Sequence, residues 1–533
     1  MFVGFGVISA QALDMCWIWD SQMVIQSGMK VPVWGQGTPG ETVTVIFAGQ
    51  KKTATADKDG EWGLTLDPLE ISTEGREMKV EASSGKKIFT DVLVGDVWIC
   101  SGQSNMAQPN AAQATGGEDE SKKPVNPLLR SFNVAYNAWA AEPHTKQFAW
   151  DKKVTNWFDW GAHGTNISAV PYYFGAMLQQ ETKRPIGLII SPVGASNAEC
   201  WVPMKAMEAV PEFAQQVKNT RAWIANQAKA REDFQAELAA WEQKKKTADE
   251  KGEKFKERKP NDFRAELVPR FWVATLYNAR IAPLRNLAIK GVIWYQGENN
   301  AAGHGQCTKD SDGYQKLMKV LIESWRRQFE QPELPFYQVQ LSMFNWDDFG
   351  KRRQRDPNEP GGWSVIREAQ EKSAKAIPHS GLAVSVDIGD KANIHPPNKR
   401  PVGERLAKLA LRDVYGRNVI ADGPSYASHE IKDGKVIVHF KNLYGGLKIG
   451  KREGAVDEKP VGFAIAGEDR KFVWADAKIA GDNVIVWSDK IPKPSAVRYG
   501  YIQYEDVNLF NAAGLPAVPF RTDNWPLVAS EEK

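Results

Sequence analysis

Apolar and polar positions divide the chain into stretches of different rhythm. From about residue 14 to 95 they alternate singly, in runs such as Val31-Pro-Val-Trp34, Thr42-Val-Thr-Val-Ile46 and Met78-Lys-Val-Glu-Ala82. A period of two places alternate side chains on one face, so these runs predict half-buried strands. The turn pairs Pro39-Gly40, Asp59-Gly60 and Ser84-Gly85 separate them. A small N-terminal β-sandwich over residues 14–95 is expected.

After Gly95 the apolar runs become short and nearly unbroken: Val97-Trp-Ile-Cys100, Ile186-Gly-Leu-Ile-Ile190, Gly291-Val-Ile-Trp-Tyr295, Phe336-Tyr-Gln-Val-Gln-Leu341 and Gly381-Leu-Ala-Val-Ser-Val386. Strands buried on both faces of a parallel sheet have this composition. Between the third and fourth, Tyr314, Leu317, Met318, Leu321, Ile322, Trp325 and Phe329 recur at helical spacing. Strands alternating with such helices predict a doubly wound α/β unit over residues 96–415. Residues 205–265 interrupt it with an Ala-, Lys-, Glu- and Gln-rich stretch, read as an inserted helical hairpin ending in solvated charge from Lys244 to Lys259. From 416 to 533 alternation returns, as in Lys435-Val-Ile-Val-His-Phe440 and Asn483-Val-Ile-Val-Trp487, predicting a C-terminal β domain.

Composition narrows the classes. With 533 residues, 42% hydrophobic and 25% charged, the chain is long enough for two or three globular domains. A net charge of +3, with no basic tract interleaved with aromatics, excludes a nucleic-acid partner. No run of about 18 apolar residues exists to span a membrane. The opening segment, residues 1–13, is apolar and contains Ala10-Gln11-Ala12, an A-x-A cleavage pattern, without a basic start. It reads equally as a shortened export signal or as a buried first strand. Cys16, Cys100, Cys200 and Cys307 form no CxxC pair, so zinc is not expected, and their even number permits disulfides without requiring them. The 20 tryptophans are expected mainly as core, although indole faces also stack on sugars.

Ligands of open α/β sheets gather at the carboxyl ends of the strands. Here those ends carry Ser101-Gly-Gln-Ser-Asn-Met106, Ser191-Pro-Val-Gly-Ala-Ser196, Gln296-Gly-Glu-Asn-Asn300, and Asp387-Ile-Gly-Asp390 followed by His395-Pro-Pro. Ser104, in a glycine-containing turn, is either a nucleophile awaiting a base or a helix cap. His395 is one of seven histidines, held in a loop by two prolines; a loop histidine is either such a base or simply exposed. The backbone N–H groups of Ser104 and Gly194 and the side-chain amide of Gln296 are candidate oxyanion donors. Glu298 is a candidate general acid or a hydrogen-bonding support.

These segments together resemble the sialate O-acetylesterase family of the SGNH (GDSL-like) hydrolases. The similar stretches are Gly95-Asp-Val-Trp-Ile-Cys-Ser-Gly-Gln-Ser-Asn-Met106, Leu276-Tyr-Asn-Ala-Arg-Ile-Ala-Pro-Leu284, Gly291-Val-Ile-Trp-Tyr-Gln-Gly-Glu-Asn-Asn300, Leu334-Pro-Phe-Tyr-Gln-Val-Gln-Leu341 and Ile394-His-Pro-Pro-Asn-Lys399. The resemblance implies an SGNH-like parallel sheet flanked by helices, carrying N- and C-terminal β domains. It implies a serine esterase that removes O-acetyl groups from sugars without metal or cofactor, and the opening segment, read as an export signal, adds a periplasmic or secreted location. Ser104 is then the nucleophile and His395 the base. The Ser104 amide, Gly194 and Gln296 form the oxyanion hole, and Gln103, Asn105, Glu298 and Asn299 contact substrate. Two departures stand out. Asp, common three residues before the catalytic His, is replaced by Ala392, which leaves Asp390 as the first candidate for the orienting acid and an acid-free dyad as the second. The family's Gly-Gly ends here in Ala195, and its Ser-Asn is Asn299-Asn300. Other readings stay open: an esterase of acetylated plant or algal polysaccharides, a glycosidase pairing Glu298 with Asp387, or a carbohydrate-binding protein that has lost its acid.

Overall fold

The computed structural model describes residues 12–108, 124–134, 139–143, 157–159, 167–261, 269–304, 311–345, 356–450 and 458–526. Cys307 and residues 1–11 of the export-like segment lie outside the described residues. The N-terminal strands are β1 (Asp14–Met15), β2 (Val24–Gln26), β3 (Val31–Gln36), β4 (Thr42–Phe47), β5 (Gln50–Thr55), β6 (Glu61–Leu66), β7 (Ser72–Ala82) and β8 (Gly85–Gly102). β3 joins β1 and β6 in one small sheet, while β4, β5, β7 and β2 connect to β8.

β8 crosses the division expected at residue 95. Its first half pairs antiparallel with β7, and its second half pairs parallel with two strands of the α/β unit. From Val92 to Gly102 every residue is buried. Gly95 lies so close to the Pro185 carbonyl that a Cβ would come within 2.1 Å of the oxygen. One apolar strand thus belongs to both layers, and an 11-stranded sheet results.

The α/β strands are β9 (Leu129–Asn133), β10 (Trp157–Asp159), β11 (Ile186–Pro192), β12 (Gly291–Tyr295), β13 (Phe336–Val339) and β14 (Ser380–Ala383). Their spatial order is β10-β9-β11-β8-β12-β13-β14, parallel throughout except for β10 at the edge. The five apolar runs read from the sequence are the five consecutive strands β11-β8-β12-β13-β14. β9 and β10, short and with polar residues among their few positions, have no such signature.

The helices are α1 (Ser104–Ala107), α2 (Ala169–Thr182), α3 (Met204–Glu208), α4 (Ala214–Glu250), α5 (Thr275–Arg280), α6 (Ser311–Gln328), α7 (Gly361–Ala376) and α8 (Arg400–Asp413). α2 packs on α8, and α6 on α7. The apolar stripe of α6, Tyr314 to Trp325, is fully buried. There Trp325 meets Trp294 edge-on at 6.0 Å, and Trp294 meets Trp201 at 5.8 Å. Trp98, Trp201, Trp294, Trp325 and Trp363 are among the largest fully buried side chains, so these indoles are core.

The insertion is dominated by one 37-residue helix, α4, and where a second helical arm is expected the described residues after it, 251–261, hold no regular secondary structure. Gly252, at φ 68°, ends α4, with its N–H donating to Asp249 O at 3.1 Å and that of Glu253 to Ala248 O at 2.9 Å. The described segment, Lys251 to Asn261, is charged and offers no apolar stripe at helical spacing. It instead supplies Phe255 and the Glu257 carbonyl to Trp241.

At the C-terminus two antiparallel four-stranded sheets enclose a core that includes Val436, Val438, Ile465, Val484, Val497 and Phe520. Arg367 of α7 joins this domain to the α/β unit. It is fully buried, donates to the carbonyls of Gly500, Ile502 and Gln503, and burial pulls its pKa down to about 9. The thiols of Cys16, Cys100 and Cys200 are unpaired and buried, which pushes all three pKa values up, that of Cys16 to about 12. Among the described residues no helix is long and apolar enough to cross a membrane.

Candidate active site

The carboxyl ends of β8, β11, β12 and β14 converge. β8 closes with Gly102 at φ 129°, where a Cβ would lie 2.1 Å from the Tyr295 carbonyl oxygen. Only glycine lets the turn rest on the end of β12, and the Gln103 N–H secures it to Tyr295 O at 2.8 Å. Ser104 follows as the first residue of α1, with Gln103 at the cap position making no side-chain cap bond. The serine hydroxyl therefore does not cap the helix. It is half-buried, and its Oγ lies 2.8 Å from His395 Nε2.

His395 reaches this point from a loop stiffened by its own side chains. Asn393 Oδ1 accepts from the His395 N–H at 2.9 Å, and Pro396 and Pro397 follow. Burial and the charge of Lys399 hold the imidazole pKa below its usual 6.5. The Ser104 and Gly194 N–H groups, one at a helix start and one in a half-buried turn, donate to no acceptor among the described residues and follow the ends of β8 and β11. Ala195 beside Gly194 stands at φ 52°, the left-handed conformation that glycine adopts freely and alanine at a cost of about 1–2 kcal/mol.

Asp390 is not brought to His395. Its Oδ1 accepts the N–H groups of Ala392 at 2.8 Å and Asn393 at 3.0 Å, a local turn that competes with any long-range contact. No carboxylate among the described residues hydrogen-bonds His395. Asp387 is held by Arg405 through two bonds of 2.7 Å. Together with the burial of Glu298, this removes the pair of carboxylates that a glycosidase reading needs.

The remaining polar residues lie beneath the site. Gln296 is fully buried; its Nε2 donates to Ser196 O at 3.0 Å and Asn300 Oδ1 at 2.7 Å, and its Oε1 accepts from Tyr314 at 2.6 Å. Its amide, expected as an oxyanion donor, is engaged with these core partners and with Gln103 Oε1 at 3.2 Å. Gln103 is equally committed, Oε1 accepting the Gly297 and Asn299 N–H groups at 3.3 and 3.2 Å. Asn299 bonds Asn197, and Asn300 Nδ2 donates to Glu199 at 2.9 Å. Expected as substrate contacts, Gln103, Asn105, Glu298 and Asn299 are all buried.

One buried group escapes sequence reasoning. Lys399 stands at the N-cap of α8, inside the core, with Nζ donating to Asn105 Oδ1 and lying 5.5 Å from the Tyr295 ring. Asn105 Nδ2 in turn donates to Glu298 Oε1 and, at 2.9 Å, to the carbonyl of Ile394. Burial lowers the Lys399 pKa to about 7 and raises that of Glu298, while their mutual attraction opposes both shifts. A lysine in a loop ordinarily reads as solvated. The only sequence signal was its place four residues after His395.

Comparison with known proteins bears on this arrangement. A model of the family described as carbohydrate esterase, sialic acid-specific acetylesterase, matches residues 94–275 and 266–412. The sialate O-acetylesterase of Mus musculus is 30% identical over 440 residues, 76% of this chain and 74% of that one. The Homo sapiens protein of the same name is 26% identical, over 92% of this chain and 88% of its own. A crystal structure of a carbohydrate acetylesterase from Xanthomonas citri superposes with a TM-score of 0.76 at 31% identity, covering 96% of this chain and all of that one.

Proposed function

Since the chain belongs to the sialic acid-specific acetylesterase family of carbohydrate esterases and hydrolyses O-acetyl esters of sugars, we propose that it does so through an SGNH-type Ser104–His395 dyad with no orienting acid. The observation that carries this reading is the 2.8 Å contact between Ser104 Oγ and His395 Nε2, beside two unengaged amides.

Ser104 O–H donates to neutral His395. As Oγ attacks the acetyl carbonyl, the proton passes to Nε2. The tetrahedral oxyanion forms against the N–H groups of Ser104 and Gly194. The imidazolium then returns its proton to the departing sugar oxygen, leaving acetyl-Ser104. Water, deprotonated by His395, attacks the acetyl group; acetate leaves and Ser104 recovers its proton.

A fluorophosphonate probe tests the nucleophile directly. We expect a single covalent adduct, located by peptide mass spectrometry on Ser104; an adduct on another residue, or none, would overturn the assignment. Asp390→Ala is expected to leave kcat/KM within about fivefold of wild type, because losing the orienting acid of a triad costs about four decades. A loss of that size would restore Asp390 as the acid.

We take sialates as the substrate class from the names of the mammalian relatives. Acetate release should then have a higher kcat/KM on an O-acetylated sialic acid than on acetylated xylan, and the opposite ratio would reassign the enzyme to plant polysaccharides. An exported location is supported by the Ala10-Gln11-Ala12 pattern.

A further inference from the structure

We propose that Lys399 is a positioning residue for this reaction: through Asn105 it ties the His395 loop to the nucleophile turn, and its charge favours the neutral, proton-accepting form of the imidazole. The inference rests on the Ser104–His395 reading and adds what holds that pair without an acid.

The geometry is a closed bridge. Asn105 adjoins the nucleophile and Ile394 adjoins the base, and the Asn105 amide donates to the Ile394 carbonyl at 2.9 Å. Neither end of that amide is free to drift. Its Nδ2 also donates to Glu298, and its Oδ1 accepts from Lys399. Three strand-end segments, 104–105, 298 and 394–399, are thereby joined through one side chain. Bringing an ammonium fully out of water costs several kcal/mol, and here only Asn105, the Tyr295 ring face and the attraction of Glu298 offset it. An apolar side chain would pack in the same volume without that cost, so the charge itself calls for a role.

That role differs from the one an aspartate plays in a triad. An aspartate both orients the histidine and stabilises the imidazolium. The Lys399 bridge orients the loop through its backbone but disfavours the imidazolium. His395 consequently stays neutral to lower pH, as a weaker base. Of the other charged groups around the loop, Asp390 is engaged with its own loop amides, Asp387 with Arg405 and Arg400 with Glu404, while Lys391 lies on the same loop four residues before His395. α1 contributes only the uncharged Ser104 and Asn105 beside the imidazole. Burial brings the Lys399 pKa down to about 7, so its charge is present on the acid side of that value, where the imidazole, held below its usual 6.5, takes up its proton.

The test compares the pH profile of aryl acetate hydrolysis in wild type, Lys399→Met and Lys399→Gln. Glutamine can still donate to Asn105 Oδ1 but carries no charge. Both variants should move the acid limb of kcat/KM upward by roughly half a pH unit or more. Lys399→Met should also lower kcat about 10- to 100-fold with KM nearly unchanged, and Lys399→Gln should recover most of that loss. A merely structural lysine would leave the limb in place, and an unmoved limb in whichever variant folds would overturn the proposal. Fluorophosphonate labelling of Ser104 in the same preparations separates the outcomes: labelling with an unmoved limb rejects only the role of Lys399, while absence of labelling in wild type rejects the dyad itself.

Discussion

Ser104→Ala is expected to lower kcat/KM for acetate release by at least about 10⁴-fold on both an aryl acetate and an O-acetylated sugar, with the fold unchanged. Among the described residues the hydroxyl makes one hydrogen bond, to His395, and carries no capping bond, so its removal leaves only the half-buried, water-accessible His395 Nε2 without its partner. Alanine suits the first turn of α1 at least as well as serine does. Thermal unfolding should therefore shift by less than about 1 kcal/mol in stability, within the usual range for a site free of packing changes. The backbone amides of residues 104 and 194 remain, and with substrate binding they should sustain a residual rate above that of water. Turnover near the wild-type rate in this variant would remove Ser104 from the reaction and return the site to a binding function.

His395→Ala is expected to cost about 10³- to 10⁴-fold, and its pH profile is more telling than its rate. In the wild type the base must be neutral, so kcat/KM rises with pH as the imidazolium loses its proton. Burial and Lys399 lower the folded pKa, which places the midpoint of that rise below the ordinary 6.5. In His395→Ala the rise should vanish, leaving only the slow increase due to hydroxide. Because serine and histidine act as a unit, the double variant should be little worse than either single one. Multiplicative losses in the double variant, or a persistent acid limb in His395→Ala, would mean that another group serves as base.

The architecture was legible where chemistry is local. Runs such as Ile186–Ile190 and Gly291–Tyr295 are apolar at every position because both faces of a central parallel strand are covered, and that needs no knowledge of neighbours. The same holds for the stripe from Tyr314 to Trp325, whose period states which face is buried. Ser104 and His395 were legible because strand ends in such a sheet expose their polar residues together. β9 and β10 were not: β10 is a three-residue edge strand, and β9, though interior, mixes Arg130, Ser131 and Asn133 into a five-residue run with no unbroken apolar signature. The second arm of the insertion failed for a related reason: a charged return segment adopts whatever conformation its partner helix accepts.

The site shows where local reading stops. Asp390 and Gln296 were the right residue types near the right place, yet the first is satisfied by amides two and three residues away and the second by Ser196, Asn300 and Tyr314. A side chain has few lone pairs and hydrogens, and only the folded neighbourhood determines which partner takes them. Lys399 is the converse case, a residue type that implies solvent but lies in the core among Asn105, Tyr295 and Glu298. By itself the sequence determined the parallel sheet and its main strands and marked Ser104 and His395 as strand-end candidates, because periodicity and strand-end chemistry are properties of short segments. The tertiary structure alone decided that Ser104 meets His395 across 291 residues without a carboxylate behind it, and that a buried ammonium stands nearby, because hydrogen-bond pairing and desolvation depend on what the rest of the chain brings to each atom.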